Sequence, residues 1–179
     1  MIYVMLANGF EEIEALAFVD ILRRADIEVA TVSIDNSETV SGSHGIEVVA
    51  DKKISEIGND GSGIVLPGGL PGTYNLRDSE SVTSLLKDYN ASGKYVAAIC
   101  AAPSVLGGLG ILKGKKATCY PSFEPKLLGA SVLEDSVVID GNVITSRGAG
   151  TAHDFAFKFV ELLKGDDVAK QLREGMLYE

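Results

Sequence analysis

An α/β sandwich on a mostly parallel sheet is the fold this sequence predicts, and three observations carry that reading. Short apolar, β-branched runs alternate with segments of helical periodicity along the whole chain. Gly and Pro cluster directly after several of those runs, where a strand would turn into a helix. The chain has 179 residues, 46% of them hydrophobic, which suits one domain with a sizeable core.

The elements follow in order. IYVMLA (2–7) reads as a buried first strand. GFEEIEALAFVDILRRA (9–25) has helical periodicity, with acids in its first turn and Arg23 and Arg24 in its last. That charge order complements a helix dipole. IEVATVSI (27–34) is the next strand, and ETVSGSHGIEVVAD (38–51) is a hairpin around residues 42–45. GIVLPGG (63–69) is a strand ending in a Pro-Gly-Gly loop. SESVTSLLKDYNAS (79–92) is a helix, KYVAAIC (94–100) a strand, and helix resumes near Ala102. ATCY (117–120) reads as a strand. VVIDGNVITS (137–146) reads as a hairpin, because Asp140-Gly141 suits a type I′ turn. TAHDFAFKFVELLKG (151–165) and DDVAKQLREGM (166–176) close the chain as helices. No repeat, low-complexity tract or linker interrupts this order, so a single domain, 1–179, is expected.

Composition excludes several functions. The net charge is −9 at pH 7 and no basic cluster occurs, which argues against nucleic acid and anionic membranes as partners. No apolar segment approaches the ~20 residues that span a bilayer. The first residues lack a basic leader region and read as a strand. Cys100 and Cys119 are the only cysteines, too few for a disulfide framework. A soluble protein of the reducing cytoplasm is expected. No C-x-x-C or H-E-x-x-H spacing occurs, so a zinc site has little support.

In a parallel sheet, Asn8-Gly9, Pro67-Gly68-Gly69 and Cys100 all fall at the carboxyl edge, where such folds gather ligands. Cys100 stands at a strand-to-helix elbow, which either exposes a nucleophile or buries a core thiol. Ala101 and Ala102 allow a tight turn, and Pro103 fits a first helical turn. A helix start there would favour a thiolate. Gly68 and Gly69 can bring backbone amides close to an oxyanion, or form a plain turn. Glu14 shares a helical stripe with Phe10, Ala17, Phe18, Ile21 and Ala25. An acid in that stripe is desolvated and its pKa rises, unless it reaches water at the stripe's edge. A protonated Glu14 would donate to a Cys100 thiolate or move a proton. Glu11 and Glu12 read as first-turn dipole partners, and Asp20 as a helical partner of Arg23 or Arg24. His44 sits at a hairpin tip and His153 at a helix start, where surface or packing roles suffice. Arg147 either binds an anion or braces its loop, and Cys119 reads as structural.

The segments ANGFEEIEA, VLPGG, AAICAAP and TSRGAGT occur in this order on the expected elements. Together they closely resemble the ThiJ/PfpI superfamily, especially the branch around the parkinsonism-associated protein deglycase. The resemblance spans essentially the whole chain. It implies a flavodoxin-like three-layer sandwich and a homodimer. It also implies a reactive Cys100, with Glu14 as the buried acid beside it. Gly69 and the backbone of Ala101 match the oxyanion-binding amides, and Arg24, Arg147 and the His44 region match positions near the pocket or dimer interface. The implied substrates are small carbonyls such as methylglyoxal and glyoxal, or glycated thiols and amines. The product is a hydroxy acid, and no cofactor takes part.

The chain departs from its relatives at two places. Protease-like members carry His after the cysteine, where Ala101 stands here, which argues against a peptidase. Deglycase-like members often carry His where Tyr120 stands. A tyrosine hydroxyl can orient a carbonyl but is a poor base near neutral pH. Two classes of function follow: a cysteine-dependent enzyme acting on carbonyls, and a redox sensor or chaperone in which Cys100 oxidises to a sulfinic acid.

Overall fold

Strand β1 (Ile2–Leu6) sends Ile2, Val4 and Leu6 into one apolar cluster and Tyr3 and Met5 into another. A strand buried on both faces needs helices on both faces. The computed structural model, which describes residues 1–178, provides them. Glu179, the last residue of the expected domain, lies outside the described residues.

The remaining strands are β2 (Val29–Ser33), β3 (Thr39–Ser41), β4 (Glu47–Val49), β5 (Lys52–Lys53), β6 (Gly63–Leu66), β7 (Tyr95–Ile99), β8 (Lys116–Ala117), β9 (Ser131–Val132), β10 (Val137–Asp140) and β11 (Val143–Ser146). The helices are α1 (Glu12–Arg24), α2 (Gly72–Asp78), α3 (Glu80–Ala91), α4 (Pro103–Gly108), α5 (Ala152–Lys164) and α6 (Asp166–Gly175). The main sheet runs β10-β11-β7-β6-β1-β2-β5, parallel throughout except for the β10–β11 hairpin. The expected α/β three-layer sandwich with a mostly parallel sheet is therefore the observed one. One layer packs α1 and α5 over the sheet, with the Phe18 ring 5.3 Å from Phe155 and 4.9 Å from Phe159 between centroids. The other layer holds Leu76 of α2, Val82 and Leu86 of α3, and Val105 and Leu106 of α4.

Two local readings change, and two stretches that the sequence left open are filled. Helix α2 has no counterpart among the expected elements, which pass from the Pro-Gly-Gly loop directly to the helix at 79–92. Pro71 occupies the cap position, and Ser79 stops α2 in an extended conformation before capping α3 at the Val82 amide. The strand read over 117–120 is only Lys116–Ala117, because the Thr118 amide donates to the Thr145 hydroxyl at 2.9 Å rather than to a neighbouring strand. Cys119 thus lies past the strand, buried in the second core. In the last hairpin Asp140 pairs with Val143, so the two-residue loop is Gly141–Asn142 rather than Asp140–Gly141. The Asp140 carboxylate accepts from the Lys116 amide at 2.9 Å, which keeps Asp140 in the strand. Helix α4, whose end the sequence left open, stops at the glycine pair Gly107–Gly108. A Cβ on Gly107 would collide with the Lys126 carbonyl.

The aromatic seam between α1 and α5 carries a stability prediction. Phe18 is fully buried, so Phe18→Ala should cost about 3–5 kcal/mol in urea unfolding. A loss below about 1 kcal/mol would mean that the seam collapses around the missing ring.

Candidate active site

The chain steps from β1 to β2 on one side and later returns to place β6 on the other side of β1. Ligands in such sheets bind where the order reverses. The loops after β1 and β6 meet there, with the Glu11 amide donating to the Gly68 carbonyl at 2.9 Å. The Glu11 side chain caps α1 by accepting from the Glu14 amide at 2.7 Å. That cap starts the helix at Glu12 and turns Glu14 inward.

Glu14 is 2% exposed. Its Oε2 accepts from the Gly68 amide at 2.7 Å. Its Oε1 has no partner that meets hydrogen-bond geometry among the described residues, and the Cys100 thiol is the group beside it. Gly68 must lack a side chain, since a Cβ there would stand 2.7 Å from both the Cys100 Cβ and Glu14 Oε2. Cys100 adopts a φ of +65°, which a non-glycine residue rarely takes. The elbow is held by its amide donating to the Ser146 carbonyl at 3.0 Å and by its carbonyl accepting from the Tyr120 amide at 2.8 Å. Cys100 is partly exposed, and the amides of Ala101 and Gly69 lie beside its thiol and favour its charged form.

The two acids of this pair are strongly perturbed. Burial pushes Glu14 up to about 7, against the opposing hydrogen bonds from the Gly68 amide and the Cys100 thiol. Burial also pushes Cys100 up to about 12, helped by the charge and hydrogen bond of Glu14 and resisted by the Ala101 and Gly69 amides. The sequence pointed instead to a lowered thiol pKa. Helix α4 starts three residues after Cys100 and runs only six residues, so it offers little to offset the desolvation. The pair titrates together. Burial holds the first proton above the ordinary carboxylate range and the second above the ordinary thiol range, which favours a single shared negative charge over two.

The other candidates lie further out. Tyr120 is exposed, and its ring packs over Gly148. Tyr120 and Arg147 line a cavity of about 470 Å³ with Glu134, Ser136 and Thr151. Cys100 and Glu14 are not among its lining residues, so it adjoins the thiol only through the Tyr120 backbone. The Arg147 guanidinium donates to the Glu134 carbonyl at 2.9 Å. Arg24 pairs with Asp20 at the surface at 2.7 Å, and Arg23 pairs with Asp51 instead. His153 stacks on Tyr178 with ring centroids 5.3 Å apart, a packing role. Cys119 is buried, and burial pushes its pKa up to about 11.

Glu12 corrects the reading of a mere dipole partner. It is 4% exposed and straps the β3–β4 hairpin to α1. Its carboxylate accepts from the His44 amide at 2.7 Å, from His44 Nδ1 at 2.8 Å and from the Ser43 hydroxyl at 3.2 Å. Burial alone would raise its pKa, but the His44 hydrogen bonds and neighbouring amides outweigh burial and hold it down at about 2. The sequence signal was Gly42 at the hairpin tip, where a Cβ would strike the Glu12 carboxylate. One ligand atom each from Glu11, Glu12 and His44 lies within 4.8 Å of the others, but the Glu12 oxygens already serve the hairpin.

With this geometry in view, known proteins supply a frame. The DJ-1/PfpI family model matches residues 1–162. The chain belongs to the DJ-1/PfpI family. It is 40% identical over 177 residues to Protein dj-1beta of Drosophila melanogaster, covering 97% of this chain and 95% of that one. It is 35% identical over 164 residues to the glutathione-independent glyoxalase DJR-1.2 of Caenorhabditis elegans, covering 90% and 87%. The solved structure of oxidized Toxoplasma gondii DJ-1 superposes with a TM-score of 0.94 at 40% identity, covering 99% of this chain and 97% of that one. The sandwich is thus the flavodoxin-like fold of the DJ-1 proteins. No helix among the described residues is long and apolar enough to cross a membrane.

The raised Glu14 pKa sets a pH signature. A carboxyl that holds its proton more tightly when folded adds stability below its ordinary 4.5, and loses it as pH rises through about 7. The free energy at stake across that window is on the order of 3 kcal/mol. Glu14→Gln should flatten the fall in stability there. An unchanged slope in urea melts taken at several pH values would show that Glu14 does not titrate in this range.

Proposed function

We propose that this DJ-1/PfpI chain is a cysteine-dependent, stress-protective enzyme that acts on reactive carbonyls or their glycated adducts. The observation that carries the proposal is the Cys100–Glu14 pair, sharing one charge beside the Gly69 and Ala101 amides. The named glyoxalase activity of the nematode relative supports the same reading. The favoured substrates are methylglyoxal, glyoxal and glycated thiols or amines, with no cofactor. A cytoplasmic location belongs to the same reading.

The carboxylate of Glu14, beside the thiol, is the base in this reading. Glu14 takes the thiol proton as the sulfur forms its bond to the aldehyde carbon. The new alkoxide then recovers that proton and becomes a hemithioacetal. Glu14 next removes the hydrogen from that carbon and returns it to the neighbouring carbonyl carbon, while the hemithioacetal hydroxyl proton passes to the neighbouring oxygen and leaves a thioester carbonyl behind. The aldehyde carbon is oxidised and its neighbour reduced, so no outside oxidant enters. Water hydrolyses the resulting thioester, releasing a 2-hydroxy acid and the free thiol. The Gly69 and Ala101 amides stabilise negative charge on sulfur and oxygen during these steps. Ala101 leaves no histidine beside the thiol, which disfavours peptidase chemistry. Tyr120 and Arg147 orient the far end of a substrate from the adjoining cavity.

Cys100→Ser should lower turnover of methylglyoxal by at least about a hundredfold, as removal of a nucleophile does. Unchanged turnover would sink the mechanism. The activity of the wild type should rise with pH through about 7, where Glu14 ionises, and Glu14→Gln should lose that limb.

A homodimer fits the surface. Ile13 of α1, Ile46 and Val49 are exposed large apolar side chains on α1 and on the hairpin strapped to it by Glu12. A second copy is the proposed cover for that face. Ile13→Asp should shift the sedimenting species toward a monomer, and a wild type that sediments as a monomer would refute the dimer.

The oxidized state named for the Toxoplasma gondii protein favours a second reading. Here two equivalents of peroxide convert the Cys100 thiol to a sulfinic acid and release water, with Glu14 and the amides holding the product. Selective gain of two oxygens at Cys100 by intact mass, with no carbonyl turnover, would favour this sensor or chaperone role over the enzyme.

A further inference from the structure

Of the segment TSRGAGT (145–151), the proposed reaction uses only Arg147. Its last residue, Thr151, holds the far end of the thiol's support. The Cys100 amide donates to the Ser146 carbonyl at 3.0 Å, one of the two bonds that keep the elbow left-handed. That carbonyl shares a planar peptide unit with the Arg147 amide. Strand β11 ends at Ser146, so the Arg147 amide has left the ladder. It donates to the Thr151 hydroxyl at 3.2 Å instead. One rigid plane therefore touches Cys100 at one end and Thr151 at the other.

The Thr151 hydroxyl is used to capacity, which fixes its direction. A hydroxyl has two acceptor positions and one proton. Thr151 Oγ1 accepts from the Arg147 amide and also from the Gly148 amide, at 3.1 Å. Two acceptors compete for its proton. The Gly148 carbonyl, at 2.9 Å, already accepts the Thr151 amide at 2.8 Å. Ser146 Oγ is closer, at 2.7 Å, and its own proton goes to the Ser136 carbonyl at 2.7 Å. The Thr151 proton therefore goes to Ser146 Oγ. Ser146 is fully buried, so water is kept from replacing a bond lost there.

We infer that Thr151 is a positioning residue for Cys100. Its hydroxyl holds the peptide plane between Ser146 and Arg147 at the angle that keeps the Cys100 amide bonded, the elbow left-handed and the sulfur beside Glu14. Thr151 acts through that plane and not by touching the sulfur. It also lines the cavity that Arg147 lines, so one hydroxyl braces the elbow from the substrate side. The effect on turnover rests on the carbonyl reading of Cys100, whereas the positioning itself does not.

The test compares Thr151→Val, which keeps the shape and removes the hydroxyl, with Thr151→Ser, which keeps the hydroxyl. Each full-length variant is read by amide hydrogen exchange in NMR and by turnover of methylglyoxal. In Thr151→Val the Cys100 amide should exchange at least about tenfold faster, because its acceptor is no longer fixed. The Val96 amide is the internal control. It donates to the Asn142 carbonyl at 2.9 Å at the other end of the same strand pair, and it should keep its wild-type rate. In the same variant kcat should fall about tenfold with KM within about twofold, the mark of a misplaced reacting group. Thr151→Ser should restore both the exchange rate and kcat. An unchanged Cys100 exchange rate in Thr151→Val would overturn the inference, as would a Thr151→Ser variant impaired to the same degree. Equal acceleration at Val96 would also overturn it, because that marks a loosened sheet and not a released elbow. A wild type that does not turn over methylglyoxal would sink the carbonyl reading alone, since exchange at Cys100 decides the positioning without turnover.

Discussion

The packing of the Glu14 carboxyl against the Gly68 amide and the Cys100 thiol is the constraint on which the rest of the site depends. A carboxyl with 2% exposure has left water almost completely, and its charged form needs donors to replace what it lost. It has one backbone donor, at 2.7 Å, and one thiol. That shortage raises its pKa, couples it to the sulfur and leaves no room for a side chain at Gly68. The left-handed backbone at Cys100 follows from the same demand. A relaxed strand end would carry the sulfur along the sheet, whereas a φ of +65° brings it back over the β6 loop.

Glu12 and Glu14 sit two residues apart on one helix and show how donors decide the outcome of burial. Both are almost fully buried. Glu12 meets two amides, a hydroxyl and an imidazole, and stays ionised down to about 2. Glu14 meets one amide and a thiol, and rises to about 7. Their effects on folding have opposite signs. The stability from Glu12 is present above its ordinary 4.5 and is lost as pH falls toward about 2. Helix α1 therefore carries one buried acid whose donors favour its charge and one whose burial favours its proton.

The departures from related proteins fall where the fold tolerates them. Ala101 presents its amide to the sulfur, and any residue but proline at that elbow would present the same group. Tyr120 likewise reaches Cys100 through its backbone, with its ring turned out over Gly148. Side-chain identity at these two positions thus leaves unchanged the backbone frame that holds the thiol.

Much of the architecture was legible from the sequence alone. Apolar β-branched runs alternating with helical stripes determined a parallel sheet between two helical layers, because a strand buried on both faces admits no other arrangement. The stripe around Phe18 and Ile21 marked Glu14 as buried, and the parallel order put Asn8, Gly68 and Cys100 at one edge. Local cues failed where a distant partner overrode them: Thr145 drew the Thr118 amide out of a strand, and Lys116 pulled Asp140 into one. Only the tertiary structure decided that Glu12 is a strap and that the Cys100 pKa rises. Both depend on how many donors arrive from other elements, and spacing along one chain does not count those donors.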